Sequence, residues 1–154
     1  MRVGVGLGVA SIGVTTAWLT TMLDFPGRRF FEWALVLPMA MPAYVLAFVL
    51  VGLFDFTGPV QSFLRETLGV RAFPPIRSRG GAVLALSCAF YPYVYLLARE
   101  AFLAQGRRAL EAAQTLGLSR TQAFWRVALP MARPWLAGGV MLALMETLAD
   151  FGAV

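Results

Sequence analysis

The sequence predicts an all-α protein, a polytopic bundle of membrane-spanning helices, and three observations predict it. Of its 154 residues, 59% are hydrophobic and only 14% charged, against roughly 45–50% and about 25% in soluble domains. Four apolar runs, at about 3–23, 39–54, 80–98 and 134–152, approach the ~20 residues that carry a helix across a ~30 Å hydrocarbon layer. Between the third and fourth runs, residues 107–130 place their apolar side chains at helical rather than strand spacing. The whole of 1–154 reads as one transmembrane domain.

The first run, Val3 to Leu23, holds no charged residue and rises about 31 Å at ~1.5 Å per residue. A secretory signal is the competing reading, but the run is long for a signal core and no small-x-small cleavage site follows it. Gly4, Gly8 and Ser11 put small residues on one helical face, which suits close packing in lipid. Asp24 to Arg29 is a polar turn with Pro26-Gly27 and the Arg28-Arg29 pair.

Trp33 to Phe54 is uncharged but interrupted by Pro38 and Pro42. Proline frees backbone carbonyls, and such breaks in membrane helices are tolerated mainly inside a bundle. We expect a short interfacial helix to about Leu37, then a span over 39–54. The two prolines either mark a hinge or pathway lining, or simply bend the start of the span. Asp55 to Arg79 is a polar interval punctuated by Gly58-Pro59, Pro74-Pro75 and Gly80-Gly81. Within it Val60, Phe63, Leu64 and Leu68 recur at helical spacing, with Arg65 and Glu66 on other faces, which predicts an amphipathic surface helix.

Gly80 to Ala98 is the third span, closed by Arg99 and Glu100. Tyr91-Pro92-Tyr93-x-Tyr95 in its second half reads either as aromatic anchoring with a proline bend or as phenolate oxygens for a hard metal ion. The final segment, from Pro134, carries Glu146 and Asp150. Their i, i+4 spacing puts both on one helix face, where a charge at membrane depth costs about 2.5–3.5 kcal/mol. They read either as a cation path or gate, or as a polar helix–helix contact, or as a helix ending near Gly152.

The stretch from Glu111 to Pro130, EAAQTLGLSRTQAFWRVALP, is where local signals are densest. Leu110, Ala113 and Leu116 form an apolar stripe, and Gly117 can take the left-handed conformation that ends a helix. Ser119 and Gln122 have the spacing of a capping box that opens a second helix. That helix carries Phe124, Trp125 and Val127 and is expected to stop before Pro130, which has no amide hydrogen. Two short helices with a glycine bend, held at a membrane face, read as a docking element.

Glu111, Ala112, Ala113, Gly117, Val127, Leu129 and Pro130 together resemble the EAA signature of ABC-transporter permease subunits, with Val127 for the commoner Ile. The resemblance implies the type I permease fold and a cytoplasmic loop over 107–130 that inserts into a cleft on an ATPase subunit. Glu111, Ala112, Ala113, Gly117, Leu129 and Pro130 are then the ATPase-coupling residues. Leu148-Ala149-Asp150-Phe151-Gly152, with Leu37-Pro38 and Pro42-Ala43-Tyr44, is similar to permeases for iron(III). Thiamine permeases, and more distantly those for polyamines or sulfate, share much of the pattern. On this resemblance the chain is part of the amino-terminal half of a two-half permease, and Glu146, Asp150, Tyr91 and Tyr93 are candidates for its translocation path.

The implied partners are a dimer of ABC ATPase subunits, a periplasmic or lipid-anchored solute-binding protein, a second permease half or subunit, and membrane lipid. ATP and Mg²⁺ would be bound by the ATPase, with no cofactor in this chain, and the location would be the inner (plasma) membrane. With the loop inside, eight of the thirteen arginines are cytoplasmic, the sign that the positive-inside rule requires. Arginines dispersed between apolar runs argue against nucleic acid. No His and one Cys, Cys88, exclude a Ser-His or Cys-His centre and make a thiolate–imidazole metal site improbable; no catalytic residue is expected and the metal assignment stays unknown. A membrane enzyme using the Glu146/Asp150 pair, or a channel or secondary transporter, are the rival classes. Gly4-Gly6-Gly8 lacks the Lys-Ser/Thr ending of a phosphate-binding loop.

Overall fold

A computed structural model describes residues 2–69 and 78–151, with backbone only for Arg2, Ala43, Leu68, residues 105–107, Asp150 and Phe151. Among the described residues eight α-helices follow in order: α1 (Arg2–Met22), α2 (Arg28–Ala34), α3 (Ala43–Phe54), α4 (Pro59–Leu68), α5 (Arg79–Ala101), α6 (Arg107–Thr115), α7 (Arg120–Ala123) and α8 (Leu129–Phe151). A 3-10 turn, Leu37–Ala40, precedes α3, and π turns at Phe102–Gly106 and Phe124–Ala128 join α5 to α6 and α7 to α8. No strand occurs among the described residues. Among the described residues four stretches are long and apolar enough to cross a membrane: Val3–Met22, Tyr44–Thr67, Arg79–Ala104 and Arg120–Ala149.

α5 is the central helix. It packs along α1 on one side and α8 on another, with α3 and the 3-10 turn against it as well. Glycines permit this closeness. A Cβ on Gly13 of α1 would stand 2.7 Å from Val94 Cβ and 2.9 Å from the Tyr95 amide nitrogen; one on Gly139 of α8 would stand 2.9 Å from Val94 Cα. Gly4 meets Val83 and Gly8 meets Ser87, so α1 and α5 run parallel. α8 runs against them, its Val140 and Leu144 beside Gly6. The expected trio of small residues needs one change. Ser11 is exposed and its hydroxyl donates to the Gly8 carbonyl at 3.0 Å, while Gly13 continues the contact. The line of contact moves around α1 as the helices cross, which a fixed spacing does not follow.

Three span limits differ from expectation, each for a local reason. The second span does not begin at Met39. Met41, which precedes Pro42, is extended (φ −105°, ψ 138°), as the proline ring demands of its neighbour, and α3 starts only at Ala43. Its 12 residues rise about 18 Å, short of a ~30 Å crossing. The 44–67 stretch is no continuous rod either, since Asp55 and Gly58 are extended (ψ 161° and 156°). The third span runs past Arg99 and Glu100 to Ala101; Arg99 lies 3.2 Å from Glu100 and 3.6 Å from Glu32 of α2, so the charges are met at the helix end. Helical structure does not stop before Pro130 at the end of the loop's second helix, and the fourth span does not wait for Pro134. Both lie inside α8, Pro130 in its first turn, where a missing amide costs least. In an α-helix residue 130 would bond to the carbonyl of residue 126, which here belongs to the wider π turn.

The surface helices form as expected. α4 is anchored by Gln61 Nε2, which donates to the Phe54 carbonyl at 2.7 Å, and by Arg65, which donates to the Phe56 carbonyl and covers the Phe56 ring. α2 ends at Ala34 rather than near Leu37 and turns Phe30 and Trp33 outward. Arg28 ties it down through Asp24 at 2.7 Å and Glu32 at 3.0 Å. Arg71, Arg77, Pro74-Pro75 and Gly152 lie outside the described residues.

Candidate functional site

The site is a helical hairpin at the end of the bundle where α1 and α5 finish and α8 begins. α6 is amphipathic: Leu110 and Ala113 are buried, and Glu111 and Ala112 are exposed. Its end is a Schellman motif. The Gly117 amide donates to the Gln114 carbonyl (2.9 Å), the Leu118 amide donates to the Ala113 carbonyl (3.1 Å), and Gly117 is left-handed at φ +86°. Two residues on, the capping box closes. Ser119 Oγ accepts from the Gln122 amide at 3.3 Å and Gln122 Oε1 accepts from the Ser119 amide at 3.1 Å. Both devices are local, and both are where the sequence placed them.

Two details differ. Leu116 does not continue the buried stripe; it is 83% exposed, because it sits about 120° around the helix from Leu110. And the two helices are not isolated: each arm runs through a π turn into a long helix. The hairpin is thus the end of two spans rather than a tethered loop. Glu111, Ala112 and Gly117 are all exposed on it. Ala113 is turned into the hairpin's own core beside Leu118 and Ala123, and Leu129 and Pro130 sit half-buried at its base.

Sequence reasoning missed the opposite wall. Trp18 and Met22 of α1, with Asp24 in the turn that follows it, face Leu110, Glu111, Gln114 and Arg120 across a cleft of about 330 Å³. The available signal was an aromatic and an acid at the end of the first apolar run, facing no predicted neighbour.

The deeper candidates separate. Glu146 and Tyr93 line one cleft of about 340 Å³ with Pro38, Met39, Met41, Pro42 and Tyr44, so the two prolines both shape the entry to α3 and border a cleft. Tyr91 does not join it and packs against the core. Tyr95 is fully buried, its phenol oxygen accepting from Thr20 at 3.4 Å. Successive tyrosines at i and i+2 point about 200° apart on a helix, so the three phenols share no metal site. Asp150 stands one turn above Glu146 on α8, and its side chain lies outside the described residues. Among the described residues no group of three His, Cys, Asp or Glu side chains could hold a metal.

An apolar helix bundle whose spans end in a capped, bent hairpin defines a polytopic membrane protein. Residues 10–154 match the family described as "Binding-protein-dependent transport system inner membrane component", and the chain belongs to that family. It is therefore a multi-pass component of the inner membrane with the type I permease fold. It is 33% identical over 142 residues to the sulfate transport system permease protein CysT of Escherichia coli K12, covering 92% of this chain and 50% of that protein. The CysT of Salmonella typhimurium gives the same identity and coverage. The molybdenum transport system permease protein ModB of E. coli K12 is 31% identical over 142 residues, covering 92% of this chain and 60% of the relative. The chain thus spans about half the length of the curated relatives it matches.

Proposed function

We propose that the chain is the membrane-spanning part of an ATP-driven importer for a tetrahedral oxyanion, sulfate or molybdate, with the hairpin as the grip of its ATPase. The observation that supports the grip is the continuity of both hairpin arms with α5 and α8, so a push on the tip is delivered to the spans themselves. Glu111 and the exposed Leu116 offer the partner a charge and an apolar knob, and Ala112 lets it come close. A dimer of ATPase subunits would hold ATP and Mg²⁺, a solute-binding protein would deliver substrate, and a second permease half or subunit would complete the path. ATP closure would drive alternating access.

The substrate class departs from the iron(III) expectation. The relatives above carry sulfate or molybdenum in their names, which favours the sulfate alternative, and Tyr93 faces away from Tyr91 and Tyr95 on α5. The decisive experiment is uptake in membrane vesicles containing the whole transporter, with radiolabelled sulfate, molybdate and iron(III) in parallel. ATP-dependent accumulation of an oxyanion is expected; accumulation of iron(III) alone would end the oxyanion reading.

An anionic substrate changes what Glu146 can do. At about 7 Å, and an effective dielectric of ~20, a dianion and a carboxylate repel by about 5 kcal/mol. Glu146 is then no substrate ligand but a charge that keeps the resting path shut to anions. Glu146→Gln is expected to raise ATP-independent sulfate leak several-fold; a leak equal to wild type removes the gate.

A further inference from the structure

The hairpin has a π turn in each arm, Phe102–Gly106 and Phe124–Ala128, and the two turns touch. π geometry is rare, well under about 1% of residues, and usually marks a local function or an inserted residue. The second turn has a local cause in Pro130. The first has no proline near it, so its position level with the second is not dictated by its own sequence. One ring from outside the hairpin contacts an aromatic ring of each turn. Trp18 of α1 lies 5.7 Å from Phe102, edge-on at 81°, and 4.3 Å from Phe124 at 56°, while the Phe102 and Phe124 rings are 6.3 Å apart. Small residues surround the trio: Ala17, Ala98, Ala128 and Ala132, all buried.

We infer that Trp18 is a positioning residue of the transport cycle, the pivot on which the hairpin rocks about its paired π turns, carrying its movement into α1. Three rings in edge and tilted contact can slide while staying in contact, whereas interdigitated aliphatic chains must separate. The cleft between Met22 of α1 and Asp24 just beyond it, and Glu111, Gln114 and Arg120 on the hairpin, provides the room for that rocking. From Trp18 upward, α1 is locked to α5 through Gly13 and Gly8, so a tilt received at the pivot reaches the outer half of the bundle. The inference rests on the reading that an ATPase grips the hairpin.

The test uses the complete transporter, co-expressed with its ATPase and solute-binding protein and reconstituted in proteoliposomes. Trp18→Ala is expected to lower radiolabelled oxyanion uptake per ATP hydrolysed roughly ten-fold, with ATPase co-purification unchanged. Trp18→Phe, which restores a ring, should recover most of it. Trp18→Leu, which fills volume without a flat ring, should stay low and answers the question if the Ala variant does not insert. A second readout needs no substrate: in a Cys88→Ser background, bismaleimide cross-linking between Asp24→Cys and Gln114→Cys should depend on ATP, and Trp18→Ala should abolish that dependence. Normal coupling in Trp18→Ala or Trp18→Leu, or loss that Trp18→Phe does not repair, overturns the pivot. Failure of the wild-type chain to hold any ATPase overturns the underlying grip, and the pivot with it.

Discussion

Gly117→Asp is expected to abolish ATP-driven uptake while leaving the chain inserted and its bundle intact. The fold and the interface bear different costs. Gly117 sits at φ +86°, and nothing lies within 4 Å of where its Cβ would be. No clash follows, and the left-handed backbone costs roughly 1–2 kcal/mol for an L-residue, with Asp and Asn among the side chains that bear it best. The tip, however, is the part that would enter the ATPase cleft. A carboxylate carried into a protein interface without a partner costs on the order of 3 kcal/mol, about 100-fold in affinity. Uptake should therefore fall far more than membrane yield. Gly117→Asn, with the same backbone tolerance and no charge, should fall between the two. Measuring uptake beside ATPase co-purification checks this; wild-type uptake in Gly117→Asp removes the coupling role of the hairpin.

Gly13→Leu is expected to have the opposite profile, a bundle that does not assemble stably. At this position the new Cβ alone would stand 2.9 Å from the Tyr95 backbone nitrogen and 2.7 Å from Val94 Cβ, and a backbone atom in the middle of α5 has nowhere to go. Overpacking costs typically about 1–3 kcal/mol when side chains can rearrange; here α1 must retreat from α5 along its length, and we expect more than about 3 kcal/mol. Gly52→Leu is the control, since a Cβ there meets nothing within 4 Å. Thermal denaturation of the detergent-purified protein, followed by size exclusion, should show an early loss for Gly13→Leu and none for Gly52→Leu. Equal midpoints would mean that α1 and α5 are not packed as described.

The two glycines show how differently legible parts of this chain are. Gly117 could be placed by reading, because the Schellman bend and the Ser119–Gln122 capping box are closed by residues within five positions of one another. The amphipathic α4 was equally readable, since its apolar spacing and Gly58-Pro59 opening are local. Gly13 was passed over in favour of Ser11, because which face of α1 meets α5 depends on how the helices cross. The overrun of α5 past Arg99 was also unreadable, as Glu32, which meets that arginine, lies in another helix.

By itself the sequence determined that this is a helical membrane protein with a capped, bent hairpin between its last two spans. Composition, run length and cap chemistry all act within one helix or one turn. Only the tertiary structure decided that Tyr93 and Glu146 share a cleft while Tyr91 and Tyr95 turn away, and that Trp18 contacts an aromatic ring of each of two π turns about 85 to 105 residues further along the chain. Those contacts are fixed by the crossing of α1, α5 and α8, and the crossing is set by where glycines allow backbones to touch, which no local spacing encodes.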